Sequence, residues 1–360
     1  MIRLFTPGPV HLPDEVVAAM ALRPLYHRSS EFKTLSIETW DRLRLLFGTS
    51  GTVAILAGSG TTAIEASIAS LNVANAPCLV LQHGRFGDRL ANMLQGYGAN
   101  VHSLSVEWGN AITASAVRTK LAEMDSVQSV WLVHSETSTG VTLDLPEIAN
   151  VIQDHPSKPL VCVDAVTSTG VHPIHMDAMG VDVAVCGSQK GLMCPPGLGI
   201  VALSARCKDY VLNTRQQSTV LHLATTVLAM EEQQLFPWTP PVTLVRALHT
   251  ALGLMFDERL ENVWARHKRV TEALHSGLVD RGYSLFGEAS AYGVTVVLDA
   301  DSSTIVQELE RGHGIVVANG QDALRNTVFR IGTCGATTVG DILALLRALD
   351  DVGERARNNK

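Results

Sequence analysis

The six cysteines of this 360-residue chain form no CxxC pair. Cys78, Cys162 and Cys186 sit inside strand-like runs, a pattern expected of buried free thiols in a reducing compartment rather than of zinc ligands or a disulfide framework. No stretch approaches the roughly 20 consecutive apolar residues that a membrane span needs. The opening "MIRLFTPGPVHLPDE" has no apolar signal-peptide core, so a soluble, cytoplasmic protein is expected. Charge is also scarce: charged residues are 18% of the chain, the formal net charge is −7, and no Lys/Arg block stands out. There is accordingly no cationic field for a phosphate backbone or an anionic lipid surface, and neither nucleic acid nor membrane is an expected partner. Internal repeats and low-complexity linkers are missing as well.

What remains is a chain rich in core-forming residues. Hydrophobic side chains make up 46% of it, enough at this length for a large core and more than one domain. From about Thr52 to Leu203, short β-branched runs alternate with helical patterns: "TVAIL" (52–56), "PCLVLQ" (77–82), "SVWLVH" (129–134), "PLVCVD" (159–164), "DVAVC" (182–186) and "GIVAL" (199–203). Runs apolar at consecutive positions are strands covered on both faces, so an α/β fold with a mostly parallel sheet is expected. Beyond about Glu258 the pattern changes to a long helix, "AYGVTVVLD", another helix, "GIVVAN", "VFRIG" and a last helix. The expected division is an N-terminal arm over 1–20, a large domain over 21–258 and a small α+β domain over 259–360.

In open parallel sheets, ligands bind beyond the carboxyl ends of the strands, so the residues just after each run carry the most information. After "TVAIL", Gly58, Ser59, Gly60 and Thr61 lead into a helix starting near Thr62, and backbone N–H groups there suit a phosphate. An ordinary glycine turn with a Ser/Thr cap would look the same; the spacing is neither GxGxxG nor GxxxxGK[ST], and no acidic residue ends the second strand, which weakens the dinucleotide and P-loop readings. Asp164 ends one run and Lys190 follows the next, in "GSQKGL". Singly, such an aspartate is most often a turn former and such a lysine a solvated charge. Together with a phosphate cradle they are the parts pyridoxal phosphate needs: an amine to join its aldehyde, a carboxylate to keep its ring nitrogen protonated, and a seat for its phosphate.

The motifs "TPGPV", "GSGTTAIEA", "GRFGDR", "HSETSTG", "VDAVTSTG", "GSQKGLMCPPGL" and "FRIG", in that order, resemble the alanine–glyoxylate and serine–pyruvate aminotransferases, class V enzymes of the fold-type-I pyridoxal phosphate transferases. The 2-aminoethylphosphonate–pyruvate aminotransferases share several of them. The resemblance implies that Lys190 binds the cofactor and moves a proton, that Asp164 meets the ring nitrogen, and that Ser59, Gly60, Thr61 and Gln189 hold the phosphate. It places Phe86 against the ring, Thr137 on the phenolic oxygen and Arg330 on the substrate carboxylate, which a guanidinium fork matches with two parallel bonds.

Thr239 matches a residue that reaches the cofactor of a neighbouring subunit, so a homodimer with shared sites is implied, while Phe236 stands where some relatives have tyrosine. His27 and Arg28 fall in a region that approaches a partner's site mouth, where Arg28 could read an acidic substrate group, although such a pair is more often an exposed turn. The implied reaction moves an amino group from a small donor, alanine or serine, to glyoxylate or pyruvate. Alternatives are a 2-aminoethylphosphonate or ureidoglycine donor, a catalytically silent cofactor-binding subunit, and a lyase or desulfurase using Cys194.

Overall fold

The computed structural model describes residues 2–215, 218–288 and 290–358, with the side chains of the last helix described up to Gly353. At the centre is a seven-stranded sheet of β1 (Thr52–Gly58), β2 (Pro77–Gln82), β3 (Asn100–Ser105), β4 (Ser129–Val133), β5 (Leu160–Asp164), β6 (Val183–Gly187) and β7 (Gly197–Leu203), in the spatial order β1-β7-β6-β5-β4-β2-β3. All neighbouring pairs are parallel except those of β7, which runs antiparallel to both β1 and β6. The carboxyl ends of β1, β2, β4, β5 and β6 therefore emerge at one edge of the sheet.

Alternation along the strands divides two cores. Val53, Ile55, Leu79, Leu81, Val161 and Val163 face one layer, while Ala54, Leu56, Cys78, Val80, Leu160 and Cys162 face the other. Both faces are thus dry, as consecutive apolar positions require. Helices α1 (Asp14–Ala21), α2 (Ser30–Phe47), α5 (Ala114–Ala122), α6 (Leu145–Asp154) and α7 (Val242–Glu258) contribute to the first core; α3 (Gly60–Leu71) and α4 (Arg85–Gly96) belong to the second.

A separate antiparallel sheet of β8 (Ser284–Leu285), β9 (Val294–Leu298), β10 (Ala318–Asn319) and β11 (Val328–Gly332), ordered β8-β9-β11-β10, carries a third core with α8 (Leu260–Val279), α9 (Ser302–His313) and α10 (Val339–Asn358). Val297, Phe329, Ile331, Leu274, Ile342 and Leu345 are buried there.

The structure differs from the sequence reading in three places. The first segment is not an irregular arm: Arg3–Leu4 pairs in parallel with Ile315–Val316, and Asp14–Ala21 is helical. Pro13 at the cap and Asp14 and Glu15 in the first turn are well placed to start that helix, so the prolines bound its structure instead of breaking it. The strand β3 was not anticipated, because its "NVHSLS" is a half-exposed edge with little apolar signal. The direction of β7 was not legible either, since burial on both faces leaves the same residue pattern whichever way a strand runs.

Phe5 packs in the third core, its carbonyl accepting from Gly332 N–H at 2.7 Å and its own N–H donating to Val316 O at 2.8 Å. A Cβ on Gly332 would lie 2.0 Å from the carbonyl oxygen of Thr6, a backbone atom that cannot swing away. Gly332→Ala is therefore expected to lift the N-terminal segment, and hydrogen exchange should show lost protection at the amides of Phe5 and residue 332 while those of β4 and β5 stay protected.

Candidate active site

The strand exits at that edge enclose a cavity of about 210 Å³. Ser59, Gly60, Thr61, Phe86, Thr137, Asp164, Gln189 and Lys190 all line it. Residues from five separate loops thus converge on one space, with Gly8 of the N-terminal segment closing one side.

One wall is suited to an anion. Gly60 and Thr61 open α3, where the first N–H groups of a helix have no acceptor within the helix and the dipole is positive. Gly60 packs so closely that a Cβ would come within 2.5 Å of Val166 Cγ2. Arg89, one turn into α4, donates from its guanidinium to Thr61 Oγ1 at 2.7 Å and brings a full positive charge to the same wall. The sequence reading quoted Arg89 within "GRFGDR" without giving it a part. Its spacing of three from Phe86 on a helix, which puts both on one face, was the available signal.

The opposite end holds a buried carboxylate and a buried amine. Asp164, only 8% exposed, ends β5, and its Oδ1 accepts from Val166 N–H at 2.9 Å. Burial pushes its carboxyl up to about 6, against that N–H and the positive charges of Lys190 and Arg89. A carboxyl so short of compensation fits a cationic ring N–H. Gln189 Oε1 on the same lining is buried with no hydrogen-bond partner, a second acceptor awaiting a donor. The donor set, a carboxyl short of compensation and an amide with an unpartnered oxygen beside a helix-end cradle and an amine, fits pyridoxal phosphate.

Lys190 Nζ donates to the Pro7 carbonyl. Burial lowers its pKa; the Cys334 thiol and Asp164 pull the other way, Arg330 adds to the lowering, and Glu136 opposes it. That shift is in the direction a proton-transferring amine needs. Gly8 has a φ of +122°, and a Cβ there would sit 2.9 Å from Lys190 Cγ, so the close approach of the N-terminal segment requires glycine.

Arg330 on β11 of the second sheet is not among the residues that line the cavity, but it reaches one of them, Thr137, through its carbonyl. It is 8% exposed and donates to Asn319 O at 2.9 Å, to Gln321 Oε1 at 3.1 Å and to Thr137 O at 3.3 Å. All three acceptors are neutral, and among the described residues it makes no ion pair. Burial brings its pKa down to about 10, with Arg85 adding and Glu136 opposing. A guanidinium in that state is short of an anion.

The remaining sequence-named residues lie elsewhere. Thr239 and Arg28 are exposed and do not line the cavity. Phe236 is buried against Phe32 and Trp40, with ring centroids 6.0 and 5.2 Å away, so an aromatic at this position serves the core. Cys194 is fully buried, its thiol pushed up to about 12 by burial. It is not the exposed, acidic thiol that a desulfurase nucleophile would have to be.

Comparison with known proteins agrees with this donor set. Residues 4–345 match the aminotransferase class-V family model. The chain belongs to this family. It is 35% identical over 359 residues to the soluble hydrogenase 42 kDa subunit of Anabaena cylindrica, covering 98% of this chain and 93% of that one. It is 30% identical over 363 residues to the serine–glyoxylate aminotransferase of Methylorubrum extorquens, covering 96% and 89%. Among solved structures, the alanine–glyoxylate aminotransferase of Nostoc sp. superposes with a TM-score of 0.93 at 32% identity, covering 98% of this chain and 95% of its own. The protein is a pyridoxal phosphate-dependent aminotransferase with the fold-type-I architecture.

Burial raises the Asp164 carboxyl to about 6, so if it pairs with the cofactor's ring nitrogen, cofactor binding is expected to depend on pH. Below about 6 the free protein holds Asp164 protonated, and a neutral acid cannot pair with a cationic ring nitrogen. Affinity should therefore rise with pH through about 6, by at most ~10-fold per pH unit for one linked proton. Cofactor dissociation constants from fluorescence titration at pH 5 and pH 7 check this, and Asp164→Asn should bind weakly at both with that dependence removed.

Proposed function

We propose that the enzyme moves an amino group from a small amino acid, alanine or serine, to glyoxylate or pyruvate. The observation that carries this is Arg330, a buried guanidinium with only neutral acceptors, beside the cavity that holds Lys190 and Asp164. It calls for a carboxylate at a fixed distance from the amine, which a 2-amino acid and a 2-oxo acid both present. The serine–glyoxylate and alanine–glyoxylate relatives support small substrates, as does the close approach of Gly8 to Lys190.

When bound, pyridoxal phosphate supplies an aldehyde that takes up an amine and a ring that accepts the electron pair released at the neighbouring carbon. Ser59, Gly60 and Thr61, with Arg89 and Gln189, hold its phosphate. Asp164 keeps the ring nitrogen protonated by pairing with it. Phe86 covers the ring face, and Thr137 hydrogen-bonds the phenolic oxygen. Arg330 grips the donor carboxylate and so orients the bond to the departing hydrogen. Lys190, its amine held toward neutrality by burial, would take the proton from the donor Cα. The same arginine would bind the carboxylate of the second oxo acid, which takes up the amino group the cofactor holds after the first oxo acid has left.

Our reading extends to assembly and location: a homodimer in which Thr239 and Arg28 of one subunit serve the site of the other, a cytoplasmic setting, and a boundary between large and small domains near 258. The exposure of Thr239 and Arg28 in the single chain supports the first. No described helix is long and apolar enough to cross a membrane.

Two variants test the assignment. Lys190→Ala is expected to fold and to lose transamination with every donor; an undiminished rate would remove the lysine from the mechanism. Arg330→Ala is expected to keep the cofactor colour but to weaken donor binding by about 2–4 kcal/mol, the cost typical of truncating one member of a buried charged contact. Donor titrations monitored by visible absorbance, with alanine and serine added singly and no acceptor present, read both effects.

A further inference from the structure

Glu136 is fully buried beside the site, and neither the cofactor nor the substrate needs it directly. It lies in a short hairpin, Ser135–Glu136 against Val141–Thr142, just past the end of β4. Its Oε2 accepts from the N–H groups of Phe86 at 3.0 Å and Gly87 at 3.2 Å, in the first turn of α4. Its Oε1 accepts from the N–H of Ser138 at 3.0 Å and the Ser138 hydroxyl at 2.7 Å. Burial raises the pKa of the Glu136 carboxyl, Asp164 adding a little, while these donors and the positive helix end pull it back toward the ionised form. A helix start needs no buried glutamate, since a surface Ser or Asp caps as well. The expense of burying this charge calls for another role.

The neighbours of Glu136 supply one. Phe86, held by its N–H, lines the cavity. Thr137, the next residue, also lines it, and its carbonyl receives the guanidinium of Arg330. Gly84 has an extended φ of 166° that any residue adopts, yet a Cβ there would lie 2.4 Å from Glu136 Cγ and 2.7 Å from Ser138 Oγ. Glycine at 84 thus makes room for the carboxylate rather than for a turn.

Building on the aminotransferase reading, we propose that Glu136 is a positioning residue for transamination. Its ionised carboxylate fixes the Phe86 ring and the Thr137 carbonyl, and supplies negative charge to the two buried cations, Lys190 and Arg330. The charged groups within its reach are Asp164, Lys190 and Arg330, and its charge favours the protonated form of both cations.

The test compares the wild type, Glu136→Gln and Gly84→Ala, each loaded with pyridoxal phosphate. Four quantities are read: the pH midpoint of the visible absorption change, the cofactor dissociation constant, the alanine KM and the melting temperature. Glu136→Gln removes the charge, so the midpoint should fall by about 1 pH unit, with KM rising roughly tenfold or more through the loosened Thr137 carbonyl. Gly84→Ala displaces the carboxylate but keeps its charge, so cofactor affinity and KM should worsen severalfold while the midpoint stays near the wild-type value. A Glu136→Gln enzyme with wild-type midpoint and KM, altered only in melting temperature, would reduce Glu136 to a structural buttress. Should that variant fail to fold, unchanged cofactor affinity and KM in Gly84→Ala overturn the proposal. A wild type that takes up no cofactor colour would sink the aminotransferase reading itself, an outcome distinct from any failure of Glu136.

Discussion

Ionic groups withdrawn from water beside one another are the constraint around which this site is built. Asp164, Glu136, Lys190 and Arg330 are all largely buried, and a buried charge is costly unless hydrogen bonds and an opposite charge replace the lost solvent. All but Glu136 have only part of that compensation. Asp164 is pushed toward protonation, Lys190 toward neutrality, and Arg330 has carbonyls where a carboxylate would serve better. The deficits are complementary to a ligand with a cationic ring nitrogen and to a substrate with a carboxylate. Glu136 alone has a full set of donors, which suits a group that stays charged while the others exchange partners.

The scaffold keeps these groups from relaxing. Asp164 and Lys190 follow adjacent parallel strands whose side chains are locked between two dry cores, so neither loop can shift without disturbing packed β-branched residues. Arg330 comes from a different sheet, and its bond to the Thr137 carbonyl ties the two sheets across the site. The N-terminal segment adds a further tie, with Phe5 packed in the third core and Pro7 accepting from Lys190.

Much of this was written in local sequence. Short β-branched runs apolar at consecutive positions marked five of the seven central strands within a residue or two, and a sixth, β7, from its third residue. Side chains just past their ends gave Ser59, Thr61, Asp164 and Lys190 as members of one site. The motif order supplied Phe86, Thr137, Gln189 and Arg330, whose placement depends on chain segments far apart in sequence. Arg89 and Glu136 escaped because a charged residue on a helix or in a turn is ordinarily solvated, and only the fold shows these two turned against the site. Edge strand β3 escaped because exposure erased its pattern, and the course of residues 1–20 because three prolines suggested irregularity where they bound a strand and a helix.

The reversed strand β7 brings two exits of the sheet together. It begins where its neighbours end, so it contributes no exit loop at that edge, and it stands between β1 and β6. Strands in a sheet lie about 4.8 Å apart, yet a Cβ on Gly187 at the end of β6 would sit only 3.1 Å from Gly60 N at the start of α3, so the exits of β1 and β6 close on each other above the reversed strand. Reversal of β7 turns the loop that carries Lys190 back toward β1, and Ser59, Gly60 and Lys190 come to line one cavity.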